Sequence, residues 1–312
     1  MHYATICAER KSLTVVKVIF GLLLIAAALH DMFHTLFHPS GRGAMAEFVS
    51  YRTWRVWRRI FPARHQILSI AGPLAFVFTA ATWALLIVVG FALVYHNFLA
   101  SRFIAVQGLN IWDHLSFFDA LNVSLGSMMT SGEGLITNSR WLGLAMEVEA
   151  VMGFVLITAS LTWVLSIYPV LEYRRSAAHR LSLLHNAQKF ERVGLISMPE
   201  RETEQLVVAL TVDFTKIRND LAQFPITYYF HEVEARSSLP GAIPLAWDVA
   251  LRAVRPESSE SIRVAGIMLQ GAIHDFLQLV GKWFLRVPRE KNDEALLAGY
   301  AADHYLQELR SS

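Results

Sequence analysis

Asp119-Ala-Leu-Asn-Val-Ser-Leu-Gly-Ser-Met-Met-Thr-Ser-Gly-Glu-Gly134 decides how this chain is read. A short apolar stretch runs into small and polar residues, and long apolar segments lie on both sides of it. A hydrocarbon core is about 30 Å thick and a helix rises about 1.5 Å per residue, so the stretch is too short to cross. It must enter and leave on one side. Backbone of that kind is tolerated at membrane depth only where protein covers it or water lines it.

The rest of the chain supplies that setting. Of 312 residues, 54% are hydrophobic, which makes a membrane protein the first expectation. Three windows are long enough to span, roughly 13–37, 68–99 and 141–171. Basic residues orient them. Arg42, Arg52, Arg55, Arg58, Arg59 and Arg64 crowd the segment between the first two spans, whereas the loops around the short stretch carry only Arg102 and Arg140. The positive-inside rule then places the arginine-rich loop in the cytoplasm and the short stretch's mouth outside. Arg174, Arg175 and Arg180 beyond the third span agree, while Arg10, Lys11 and Lys17 pull the other way. A cleaved signal peptide ending near Ala26-Ala27-Ala28 would put the arginine loop on the wrong side, so it is disfavoured. Cys7, the single cysteine, rules out an intrachain disulfide and a cysteine-based zinc site.

The expected fold class is an all-α membrane protein: three transmembrane helices with a re-entrant pore helix and filter, then a cytoplasmic α-helical domain. Residues 1–67 hold the first span and a basic amphipathic helix, 68–171 the pore domain, and 172–312 the cytoplasmic part. In the first of these, Met45, Phe48, Val49, Trp54, Trp57, Ile60 and Phe61 are interleaved with arginines. That mixture predicts a helix in the headgroup layer, with anionic headgroups at Arg52, Arg55, Arg58 and Arg59 and no nucleic acid; Pro62 would end it. In the last part, Leu206, Leu210, Phe214, Ile217 and Leu221 recur at helical spacing and predict an amphipathic helix over 199–223. The apolar stretch 262–285 resembles a fourth span in length, but Gln270, His274, Asp275, Gln278 and Lys282 would be costly in lipid. It is expected as a buried helix of a soluble bundle. No strand pattern is expected anywhere.

Thr130-Ser131-Gly132-Glu133-Gly134 keeps the Thr-x-Gly-x-Gly frame of a potassium-channel filter, in which four Thr-Val-Gly-Tyr-Gly loops present rings of carbonyls to the ion. With Leu36-Phe37-His38-Pro39-Ser40-Gly41-Arg42-Gly43 and Ser166-Ile167-Tyr168-Pro169, the first 175 or so residues resemble bacterial members of the two-span potassium-channel superfamily carrying an extra N-terminal helix. The resemblance implies a homotetramer, since one filter per chain requires four chains around an axis. It also implies that Thr130 contributes its hydroxyl and carbonyl, and that Ser131, Gly132, Glu133 and Gly134 contribute carbonyl rings. Gly132 and Gly134 suit this because glycine adopts left-handed backbone at little cost. Leu135 stands where the family usually has aspartate.

Glu133 stands in place of tyrosine, in a position that braces the filter from behind. A carboxylate there must be protonated, hydrogen-bonded or turned into the outer mouth. Four such charges ~8 Å apart would repel by ~2 kcal/mol per adjacent pair at an effective dielectric of about 20. Ca2+ at the mouth would offset this, as would raised pKa values. Permeant K+ and Na+ are the only other ligands expected, with no cofactor. Glu147 and Glu149 open the third span near filter level and are candidates for filter support or mouth electrostatics, or for ordinary exposed and structural acids. Gly153 is a candidate hinge or a packing glycine; Pro169 is a candidate kink or a helix end. His30, His34 and His38 share a helical face beside Asp31, a pattern suited to metal or pH sensing, yet no four-ligand set is visible and a hydrogen-bonded helix end is the simpler reading.

The leading expectation is a weakly selective cation channel of a bacterial inner membrane. A nonconducting receptor or scaffold that keeps the pore fold, or a K+-selective channel braced by Glu133, are the alternatives. Enzyme activity is not expected: His231-Glu232 and His274-Asp275 are acid–base pairs on paper, without metalloprotease spacing, nucleophile elbow or phosphate loop.

Overall fold

The apolar stretches are long, and few prolines or glycines interrupt them, so the chain folds almost wholly as helix. A computed structural model describes residues 2–38, 41–61, 65–105, 115–132, 135–191, 199–232, 234, 238–286 and 292–304. Its helices are α1 (His2–Leu36), α2 (Ala44–Ile60), α3 (His65–Leu68), α4 (Ala71–His96), α5 (Leu99–Arg102), α6 (Phe117–Met128), α7 (Arg140–Glu191), α8 (Glu200–Gln223), α9 (Leu239–Ala253), α10 (Glu260–Val280) and α11 (Asp293–Asp303). A 3-10 stretch, Pro225–Tyr229, follows α8, and a π-helical turn, Gly281–Leu285, extends α10.

Among the described residues, four helical windows are long and apolar enough to cross a membrane: Ser12–Leu36, Ala71–His96, Arg140–Ala187 and Glu260–Leu285. The chain is therefore an all-α membrane protein in its framework. The fourth window differs from the others. It is less apolar than the others, and 56% of its most apolar 18-residue stretch is buried within the protein against 17–39%. That burial favours a helix packed in a bundle over one that faces lipid.

Strands β1 (Phe103–Ala105) and β2 (Leu135–Thr137) depart from the all-helical expectation. They pair antiparallel, with Phe103 opposite Thr137 and Ala105 opposite Leu135. At three residues each they are too short to leave an alternating pattern in the sequence. Asn138 N–H and the Thr137 hydroxyl, both 3.0 Å from the Arg102 carbonyl, close the ribbon's end.

The described helices fall into two compact units, Met1–Tyr51 with Phe76–Val164, and Arg52–Ala75 with Leu165–Ser312. In the first, the carboxyl group of Asp31 is buried at the end of α1. It accepts the first free N–H groups of α2, from Met45 (2.7 Å) and Ala46 (3.1 Å), and the indole N–H of Trp83 on α4 (2.8 Å). Helix starts leave such N–H groups without intrahelical partners and favour negative charge, so Asp31 caps α2 from another helix. Among the histidines of that face, the rings of His30 and His34 touch at 4.3 Å and those of His34 and His38 at 5.1 Å. Among the described residues no group of three or more His, Cys, Asp or Glu is placed to hold a metal ion.

In the second unit, α8 runs over the range its periodicity predicts and buries Val207, Leu210, Phe214, Ile217 and Leu221. Leu206 is only partly covered and its neighbour Val207 takes the core position. α10 packs on α8, α9 and α11 and leaves Val264, Ile267 and Met268 exposed along one stripe. The C-terminal part of α7 is tied down by Asp213 of α8, which accepts from Tyr173 and Arg180, each at 2.7 Å. α7 continues through Pro169, which sits inside the helix and does not end it. α2 ends at Ile60, ahead of Pro62, which lies outside the described residues. Trp54 of α2 is buried, and Arg58 pairs with Asp303, so this side of α2 meets protein.

Asp31→Asn keeps the shape of the cap but lets one oxygen serve where two do now, and a stranded buried donor costs about 1–3 kcal/mol. Thermal unfolding in detergent is expected to show a lower Tm for Asp31→Asn, with a smaller drop for Trp83→Phe. Equal stability of Asp31→Asn and wild type would show that Asp31 does not anchor α2.

Candidate functional site

α6 begins with a capping box. The Ser116 hydroxyl accepts from Asp119 N–H (3.3 Å), and the Asp119 carboxyl group accepts from Ser116 N–H (2.9 Å). The signal, serine followed three residues later by an acid, is present in the sequence.

One face of α7 holds α6 in place. At its first contact the Ser127 hydroxyl donates to the Met146 carbonyl at 2.7 Å. One turn on, Glu149 has no exposed surface and joins three helices: one carboxyl oxygen meets the Ser124 hydroxyl of α6, and the other accepts from the Tyr95 hydroxyl of α4 at 2.8 Å. Ser124 Oγ also lies 2.9 Å from the Val88 carbonyl of α4. A further turn on, a Cβ at Gly153 would collide with the Met128 carbonyl oxygen. Positions 146, 149 and 153 follow the helical repeat, so one stripe of α7 carries the hydroxyl bond, the carboxyl junction and the close approach. Gly153 is thus glycine because α6 ends against it, which is the packing role weighed above.

Beyond α6 the chain turns sharply. Thr130 has φ of +53° and Gly132 of +71°; Ser131 N–H donates to the Gly126 carbonyl at 3.0 Å. A left-handed backbone is cheap at Gly132 and costly at the β-branched Thr130, and strain of that kind gathers at functional segments. Among the described residues, no atom beyond its chain neighbours lies within 4 Å of where a Cβ of Gly132 would be, so its conformation is what favours glycine there. Thr130, Ser131 and Gly132 are exposed in the single chain. Glu133 and Gly134 lie outside the described residues. Leu135 is buried as the first residue of β2.

Of the other sequence candidates, Glu147 is exposed and Glu149 buried, which separates two acids that adjoin in sequence. Pro169 lies on an exposed part of α7 away from this cluster. Tyr95 and Ser124 were missed; the available signal was a polar residue in each of two apolar helices facing a third that carries an acid. His274 lies 2.9 Å from Asp293, and Glu232 accepts from Arg174 (3.3 Å) and Arg175 (2.6 Å).

Glu149→Ala would strand the Tyr95 hydroxyl and Ser124 in a dry site, at a cost of about 2–5 kcal/mol, whereas glutamine can accept from one and donate to the other. Denaturation in detergent is expected to find Glu149→Gln near wild type and Glu149→Ala strongly destabilised. A Glu149→Gln protein as unstable as Glu149→Ala would mean that charge, and not hydrogen bonding, holds the junction.

No protein-family model matches the chain, and no solved structure matches it. It is similar to the uncharacterized membrane protein YdjJ of Bacillus subtilis (strain 168), with 28% identity over 224 residues. The match takes in 71% of this chain and 64% of that protein, so the chain spans less than two thirds of the relative's length.

Proposed function

We propose that the protein is a homotetrameric cation channel of the pore-loop type, with a degenerate filter that discriminates weakly among monovalent cations. The observation that carries this reading is α6. It is a half-length helix capped at its start, pinned along α7 at Met146, Glu149 and Gly153, and ending in left-handed backbone at Thr130 and Gly132, where the Thr-x-Gly-x-Gly frame begins. A fixed helix aimed at a strained loop is what a ring of carbonyls requires of each subunit.

Three helices span: α1, α4 and the apolar part of α7, while α10 belongs to the cytoplasmic bundle. Trp141 is 81% exposed and Phe118 77% exposed in the single chain, a surface that lipid or neighbouring copies would cover. The membrane is the bacterial inner membrane. Arg52, Arg55 and Arg59 of α2, exposed together with Phe48, Val56 and Ile60, meet anionic headgroups on its cytoplasmic side, and Arg58 serves the ion pair with Asp303. Thr130, Ser131, Gly132, Glu133 and Gly134 form the ion path, and Glu133 sets its selectivity and binds Ca2+ at the outer mouth.

Two experiments test this reading. Single-cysteine labelling in a Cys7→Ser background should place 52–64 and the C-terminal region inside and 100–115 outside; an outside C-terminal region would invert the topology. Reversal potentials in mixed K+ and Na+ across bilayers holding purified protein should show similar permeabilities, with a Ca2+ effect that Glu133→Gln removes. Strong K+ preference with no response to Glu133→Gln would favour the braced K+ channel, and no current in any salt would favour the nonconducting scaffold.

A further inference from the structure

His231 and His304 meet inside the second unit, 6% and 3% exposed, with their Nδ1 atoms 3.4 Å apart. Their ring planes agree within 6° and their centroids are 5.6 Å apart. That separation equals the nitrogen gap plus two ring radii, so the rings lie edge to edge in one plane, nitrogen facing nitrogen. One Nδ1 must donate and the other accept. Protonating both breaks the bond. On the far side of its ring, His304 Nε2 is buried without a hydrogen-bond partner among the described residues, amid the rings of Trp54 (5.8 Å), Tyr228 (5.0 Å) and Tyr300 (4.9 Å).

The surrounding charges oppose a second proton. Facing His304 are Arg58 from α2, Arg174 from α7, Glu232 next to His231, and Asp303 from α11 itself. Asp303 is engaged by Arg58 and by the Tyr228 hydroxyl, and Glu232 by Arg174 and Arg175. With both carboxylates already held in ion pairs, Arg58 and Arg174 oppose a further proton on His304. Burial pushes the Tyr228 phenol up and the Tyr300 phenol up to about 12, so both stay neutral. Burial first, then His231, Arg174 and Arg58, holds the pKa of His304 well below the ordinary histidine value of 6.5.

We propose that the His231–His304 pair is an acid-sensitive latch that docks α11 onto the second unit and lets it go as the pH falls. With α11 released, His304 takes a proton at its ordinary pKa; docked, it does so only at the depressed one. Stability of the docked state is therefore complete above pH 6.5 and declines below it, by up to roughly tenfold in the opening equilibrium per pH unit. Release uncovers Leu296 and Tyr300, which α11 buries, and frees Arg58 from Asp303.

Hydrogen exchange of the full-length protein in nanodiscs at pH 7.5 and 5.5, corrected for intrinsic rates, reads this directly. The amides of 293–304 should lose protection roughly tenfold at the lower pH while those of α8 keep theirs. His304→Phe retains an aromatic ring that cannot titrate and should remove the difference; if it does not fold, His304→Gln serves. Equal protection of 293–304 at both pH values in wild type would overturn the proposal, and so would an acid loss that survives in the histidine variant.

Discussion

Glu149 is the constraint on which the candidate site depends. A carboxyl group without exposed surface, set among apolar helices, must find its hydrogen bonds inside the protein, because lipid offers none. It finds them on Tyr95 of α4 and Ser124 of α6, and so ties a half-length helix to two long ones. Ser127 against Met146 and Gly153 against Met128 set the depth and closeness of that contact along the same stripe of α7. The left-handed turn at Thr130 and Gly132 is then held by what precedes it. Asp31 does for α2 what Glu149 does for α6, taking donors from two other elements at one buried point.

The second unit solves a related problem with arginine. Arg174 is buried on α7 and donates to the Thr227 and Phe230 carbonyls at 2.7 and 2.9 Å, tying down the middle of the 3-10 stretch and the residue that closes it. Its planar fork matches two carbonyls and a carboxylate at once, which a lysine could not do. The aromatic cluster of Tyr228, Phe284, Tyr300 and Trp54 closes around this charge group, with Tyr228 and Phe284 stacked at 4.0 Å. Polar and aromatic contacts therefore seat α11 as much as apolar burial does.

Elements whose signal is local were legible in the sequence. The long apolar helices follow from unbroken apolar runs, and α8 begins and ends within a residue of its predicted limits because its periodicity and flanking residues agree. What depends on distant residues was not legible. Tyr95, Ser124 and Glu149 lie in three segments, and nothing at any one of them announces the other two. The same holds for His231, which meets His304 far along the chain. Trp54 looked like one aromatic of a lipid-facing helix, and only the packing of α2 shows that it turns into protein. Pro169 shows the limit of a breaker rule, since surrounding helix can outweigh one missing N–H.

The central claim is that several copies of this chain enclose one ion path. Native mass measurement of the full-length protein released from nanodiscs tests that claim most directly. The account requires four copies per particle. A monomer with intact fold would contradict it, because one short loop cannot surround an ion.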